Sequence, residues 1–297
     1  MYIVKSDGKS ELFSPEKLRA GLKRAGVPQA LIDRVTHTVT ERVRNGFTTK
    51  RIASLVREQL KRESLASLHR YTLHDGLLKL GPAGFNFEKY VGSILEAYGY
   101  RIEYPPELHG ACVDHEVDII ARKDGRTVMI EAKFRNDFQR FVRLKDTLAT
   151  WSRFQDLRDG AAAGRCPKFD EVWIVTNGRI SSRSEKFGAC KGIRLLGWNY
   201  PKEASFASYV DHAALYPVTV LHDLSPKELE RLSGRGLMLC RQLAGMTQKR
   251  LARSAKISVG RAGALVKSCL AVAAPQEEAE TPHPGKFTKS GKAEKAP

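Results

Sequence analysis

The stretch DHEVDIIARKDGRTVMIEAKF, residues 114–134, crowds acids and a lysine around a tight turn in a strongly basic chain. Residues 117–121 and 127–134 are rich in β-branched and apolar side chains and flank Lys123-Asp124-Gly125, which predicts a strand hairpin. Strand side chains alternate, so Glu131 and Lys133 share one face while Ile130 and Ala132 point to the other, into the core. Asp118 falls across the hairpin on the preceding strand. Two carboxylates converging on one point repel unless they share a proton or a cation. The plain alternative is a solvent-facing hairpin whose acids and lysine merely pair, an arrangement worth about 0.2–1 kcal/mol.

A hard divalent ion, Mg²⁺ or Mn²⁺, takes oxygen ligands and would relieve that repulsion. Asp118, Glu131 and the backbone carbonyl of Ala132 are the candidate ligands. Water on such an ion has a lowered pKa and can attack a phosphodiester in line. Lys133 would orient that water or neutralise charge developing on the phosphate.

Working outward, residues 85–98 form an amphipathic helix with Phe87, Tyr90, Val91, Ile94, Leu95 and Tyr98 on one face, and a strand at 100–104 follows. Residues 137–157 read as helix, and EVWIVT (171–176) is a continuous apolar run suited to a strand buried on both faces. A helix at 182–190 and a short strand at 193–198 complete a compact α/β order.

At this point Asp118 with Glu131-Ala132-Lys133 resembles the PD-(D/E)XK nuclease motif, and its surroundings resemble the Mrr-type branch of the restriction-endonuclease-like fold. Glu88 stands on the preceding helix where that family often carries another acid, and WIVTNGRISS fits as well. The resemblance covers residues 84–201, within a nuclease domain set at 84–205, and implies a mixed sheet flanked by helices. It implies catalytic roles for Asp118, Glu131, Lys133 and Glu88. Val117 stands where the family has proline. His115 reads as structural, because alternation turns it away from Glu116 and Asp118. Asp114 and Glu116 are possible auxiliary acids, while Gln139, Lys145 and Asp146 either contact phosphate or cap a helix.

The flanks differ from this centre in charge. Residues 1–80 hold 16 Lys/Arg against 8 Asp/Glu, residues 81–222 hold 20 against 18, and residues 223–297 hold 14 against 7. A net charge of +17 points to a polyanionic partner, nucleic acid above all. Five scattered cysteines without a CxxC pair argue against a disulfide framework or zinc ribbon. No apolar run approaches membrane-spanning length, and MYIVKSDGKSELF has no apolar leader core, so a cytoplasmic protein is expected.

Residues 1–80 open with two short strands around Asp7-Gly8 and continue as helices started by Ser14-Pro15 and Thr48. Val4-Lys5, Asp7-Gly8-Lys9, Phe13, Lys17-Leu18 and Tyr71 resemble an ATP-cone, the small nucleotide-sensing domain. The resemblance implies ATP or dATP binding, and Lys5, Lys9 and Lys17 beside a glycine turn and a helix start suit a polyphosphate. Residues 223–273 are helical throughout, begin at Ser225-Pro226, and resemble helix-hairpin-helix modules whose glycine turns meet phosphate without reading sequence. Arg235, Arg241, Lys249, Arg250 and Arg261 are its candidate DNA contacts. Residues 274–297 lack aliphatic anchors and are expected to form a disordered basic tail.

The reading is a Mg²⁺-dependent DNA endonuclease, expected as a homo-oligomer, with a nucleotide-sensing front and a DNA grip behind. Two rivals stand beside it: a DNA-binding protein with an inactive nuclease fold, and a nucleotide-responsive transcriptional regulator.

Overall fold

The structure is a computed structural model that describes residues 1–5, 8–80, 87–136, 140–202, 204–221 and 224–273. Asp7 of the first turn, Gln139 and the tail at 274–297 lie outside the described residues. The chain divides into two compact units, Asn86–Leu215 and another made of Met1–Phe85 with Tyr216–Ala274.

In the Asn86–Leu215 unit, β6 (Ile119–Lys123) turns through Asp124 and Gly125 into β7 (Arg126–Lys133). Both turn residues have positive φ, 50° and 75°, a conformation that Gly adopts freely and Asp tolerates. The hairpin register runs from Ile119↔Ile130 to Lys123↔Arg126. On its other edge β7 pairs in parallel with β9 (Glu171–Thr176), and β9 with β11 (Arg194–Leu196). β3 (Arg101–Glu103) closes the far edge antiparallel to β6, giving a five-stranded mixed sheet ordered β11-β9-β7-β6-β3.

Helices cover both faces. α5 (Phe87–Ala97) lies against β6 and β7, burying Phe87, Tyr90, Val91, Ile94 and Leu95. α6 (Leu144–Ala162) sends Phe154 and Leu157 into the cluster formed by Ile120, Met129, Val172 and Ile174. α7 (Ser182–Lys191) is capped by Ser181 and packs beside β11. Cover on two sides explains why VMI of β7 and VWIV of β9 are unbroken apolar runs. The remaining elements are β4 (Leu108–His109) paired with β5 (Asp114–His115), β8 (Phe141–Val142) paired with β10 (Arg179–Ile180), and α8 (Phe206–His212). The helix expected from residue 137 starts only at Leu144, because Phe141 and Val142 are taken by β10. Asp146 then starts it by accepting the Arg143 amide at 2.8 Å.

The other unit begins with the hairpin of β1 (Tyr2–Val4) and β2 (Ser10–Leu12). α1 (Pro15–Arg24), α2 (Gln29–Arg42), α3 (Thr49–Glu63) and α4 (Leu65–Leu80) follow, with Ser14 and Thr48 capping as the sequence predicts. Leu22, Ile32, Val35, Val39, Val56 and Leu60 form their core. A 3-10 turn, Val218–Val220, seats on α4, where the Thr219 hydroxyl donates to the Gly76 carbonyl at 2.6 Å. α9 (Pro226–Ser233), α10 (Cys240–Ala244), α11 (Gln248–Ala255) and α12 (Val259–Ala273) complete the unit, with α12 touching α10, α11 and α4. Among the described residues no helix is long and apolar enough to cross a membrane.

Candidate functional site

The ladder between β6 and β7 stops at Ile119↔Ile130, and Asp118 sits one residue before β6 rather than within a strand. Its carboxylate takes the place of the next ladder partner: Asp118 Oδ2 accepts the Ala132 amide at 2.7 Å. Amide and carbonyl of one strand residue face the same edge, so the Ala132 carbonyl lies on the Asp118 side as well.

Glu131 and Lys133 share a face as alternation requires. That face is covered rather than wet, and Glu131 is only 3% exposed. An acid so buried needs partners. Lys133 Nζ donates to one oxygen and the guanidinium of Arg153, on α6, donates to the other. The plain solvent-facing hairpin is therefore not what the chain builds. Beyond Lys133 the strand end is pinned from β9 and the loop after it. The Thr176 hydroxyl donates to the Lys133 carbonyl at 2.6 Å, while the Asn177 side chain bonds both backbone groups of Arg135, at 2.7 and 2.9 Å.

Burial first, and the Glu131 charge second, push the Asp118 carboxyl up to about 6, with Glu88 adding to the rise. The Ala132 amide and Lys133 oppose it. Glu88 stands in the first turn of α5, between the buried Phe87 and Tyr90, and is the third negative charge felt at this point. Among the described residues no group of three or more His, Cys, Asp and Glu side chains is gathered as a metal cage. Two carboxylates and a main-chain oxygen nevertheless make an all-oxygen donor set of the kind hard divalent ions take.

Of the neighbouring acids, Asp114 is engaged elsewhere. Asp114 Oδ1 lies 2.7 Å from His109 Nδ1, and Glu116 is exposed. His115 Nε2 lies 2.7 Å from Asp156 Oδ2, tying β5 to α6. Burial would raise the Asp156 carboxyl, but hydrogen bonds from Cys112, His115 and the amides of Cys112 and Val113 hold it at about 2. Asp146 caps α6 and also accepts Arg135 at 3.1 Å, while Lys145 is exposed.

In the other unit, Glu11 lies 3.0 Å from Lys17 and 4.0 Å from Lys5, and the Lys5 amide donates to the Lys9 carbonyl at 2.8 Å. Lys5, Lys9 and Lys17 thus gather around the first hairpin. Arg235, Arg241, Lys249 and Arg250 are exposed. Arg261 is not: its guanidinium grips Glu228 at 2.7 and 3.2 Å. That contact, with Ser225 helping against burial, holds the Glu228 carboxyl at about 2.

Sequence reasoning missed Arg153, Thr176 and Asn177. The first stands 22 residues from its partner on a helix of mixed composition, and no spacing rule connects the two. TNG after an apolar strand was visible as a turn signal.

The chain matches the ATP cone domain over residues 1–74, the restriction endonuclease domain over 82–199, and the AF1548-like C-terminal domain over 216–272. It is 32% identical over 158 residues to an uncharacterized protein of Archaeoglobus fulgidus, spanning 53% of this chain and 86% of that one. Among solved structures it is similar to the "Crystal Structure of Protein of Unknown Function AF1548". There the identity is 30% and the TM-score 0.51, with 63% of this chain and 97% of the other covered.

Proposed function

The chain belongs to the family of AF1548-like proteins, and on that footing we propose that it is a divalent-metal-dependent DNA endonuclease governed by nucleotide binding. One observation carries the reading. Glu131, 3% exposed, and Asp118 are held at the open end of one hairpin, with Lys133 on the same face. Burying charge in this way has no structural return that apolar residues would not supply better.

Asp118, Glu131 and the Ala132 carbonyl would hold Mg²⁺ or Mn²⁺. Such an ion, when bound, supplies an activated water and neutralises phosphate charge. Ala132, through its amide, fixes the Asp118 carboxylate, and Arg153 fixes that of Glu131. Thr176 and Asn177 hold the strand end so that Lys133 stays at the place where phosphate charge would develop. Glu88 acts from α5 as an auxiliary acid. ATP or dATP binding at Lys5, Lys9 and Lys17, assembly as a homo-oligomer, DNA contacts from Arg235, Arg241, Lys249 and Arg250, and a cytoplasmic location belong to the same proposal.

The pairing of Glu131 with both Lys133 and Arg153 favours one second reading, a DNA-binding protein whose carboxylate stays closed to a cation. Plasmid cleavage with Mg²⁺ or Mn²⁺, against an EDTA control, separates the two. Nicks or linear product only with metal support the nuclease, and intact plasmid under every condition supports the second reading.

A further inference from the structure

From Arg231 to Gln276 the chain carries nine lysines and arginines and no aspartate or glutamate. Within that stretch α11 ends at Ala255, Lys256 takes the left-handed conformation (φ 52°), and Ser258 caps α12 by accepting the Arg261 amide at 3.2 Å. The two helices are therefore joined by three residues, the length of a helix-turn-helix connection. Leu251, Ala252 and Ala255 of α11 are buried, as are Ala262 and Leu265 of α12. At the start of α11, Gln248 lies against Gly263 of α12, where a Cβ would come within 3.0 Å of the glutamine side chain.

α9 fixes this pair from both sides of the turn. Arg231 donates to the Lys256 carbonyl at 2.8 Å, and Glu228 holds Arg261 at the start of α12. Two cations are thus spent on fixing the turn. Lys249, Arg250 and Arg253 of α11, Lys256 of the turn and Lys267 of α12 remain exposed. The outer face of α12 carries Val259, 48% exposed, then Gly260, Ala264 and Lys267. This face is low in profile and free of acids, with a branched methyl group near its start and an ammonium two turns on.

We infer that α11 and α12 form a helix-turn-helix that reads the major groove of duplex DNA, with α12 as the reading helix. In that geometry the first helix crosses the phosphate backbone and the first turns of the second meet base edges. Lys249, Arg250 and Arg253 are the phosphate contacts, and Val259 and Lys267 the base contacts, suited to a thymine methyl and a guanine edge. The glycine turn between α9 and α10 can serve phosphate as expected, and α12 adds preference for sequence. The inference rests on the DNA partner of the proposed function and not on cleavage.

The test uses the full-length chain in EDTA, so that no cutting intervenes, with selection from a randomised duplex pool and anisotropy titration of selected and scrambled duplexes. A sequence motif should emerge. Lys267→Ala and Val259→Ala should lower affinity for the selected duplex by roughly 5- to 150-fold each, the range of one lost base contact, and lower it for scrambled duplex far less. Arg250→Ala should weaken both duplexes alike. A pool that binds without enrichment, or does not bind, overturns the inference. So does a motif whose affinity ignores Lys267 and Val259. If the motif appears while plasmid is never cut, the nuclease reading alone falls.

Discussion

The Arg153 guanidinium closes on the Glu131 carboxylate from α6, so that a buried acid of the central strand is held by a helix as well as by its own hairpin. Lys133 takes the other oxygen, and the two cations together satisfy a group that is 4% exposed at its side chain. Arg153→Ala should therefore cost about 1.5–3 kcal/mol, the range for a hydrogen bond to a charged group. Arg153→Lys should recover only part, since an ammonium cannot reproduce the planar fork. Urea unfolding reads both. A variant as stable as the wild type would show that the pair contributes nothing.

Catalysis should depend on the acids unequally. Asp118→Ala or Glu131→Ala should abolish metal-dependent plasmid cleavage while DNA binding persists. Glu88→Gln should lower the rate less, because Glu88 reaches the site through its charge on Asp118. Cleavage at the wild-type rate in either alanine variant would remove the catalytic assignment, and equal loss in all three would make Glu88 a direct ligand.

The raised Asp118 carboxyl gives a pH signature. Its folded value is about 6 against an ordinary 3.8, so the folded chain holds this proton more tightly than the unfolded chain. The stability that comes with the proton is present in full below the ordinary value and is lost as pH rises toward about 6. Without metal, Asp118→Asn should melt above the wild type at neutral pH, and the gap should close under acid conditions. Added Mg²⁺ should raise the wild-type melting temperature and leave the variant unmoved. Parallel melting curves across the range would contradict the shift.

The hairpin was legible because period-two alternation and Asp-Gly are local signals, and both survive folding. Asp118 slipped out of its strand because its carboxylate competes with the backbone for the Ala132 amide, which no alternation pattern records. Arg261 reads as a candidate DNA contact because its charge is visible in sequence, whereas Glu228, 33 residues away, meets it only in space. The late start of α6 has the same origin: Phe141 and Val142 suit a helix until β10 offers them a ladder. Burial of Glu131 needed knowledge of α6, which a strand pattern does not contain.

Nucleotide binding at the first hairpin should be limited by Glu11. This acid sits between Lys17 and Lys5 and neutralises what a triphosphate would use. Exposed pairs of this kind are worth about 0.2–1 kcal/mol, so Glu11→Gln should tighten ATP or dATP by at most about fivefold. Lys17→Ala should weaken it. Calorimetry on the full-length chain decides, and no heat with either nucleotide would reject the site.

Gly76 tests how the C-terminal segment is held on α4. In an open helix, glycine to alanine stabilises by about 0.5–1 kcal/mol, because the unfolded chain loses freedom. Here a Cβ would come within 2.8 Å of Val220 Cγ1 and 3.2 Å of the Val220 amide nitrogen. The Thr219 hydroxyl bond to the Gly76 carbonyl, at 2.6 Å, leaves the 3-10 turn little room to retreat. Overpacking of a buried contact costs about 1–3 kcal/mol, more than the helical gain. Gly76→Ala should therefore lower stability in urea. Adding Val220→Ala, which removes the crowded methyl groups, should make the glycine substitution less costly than it is alone. A single variant more stable than the wild type would mean that the turn does not pack on this helix.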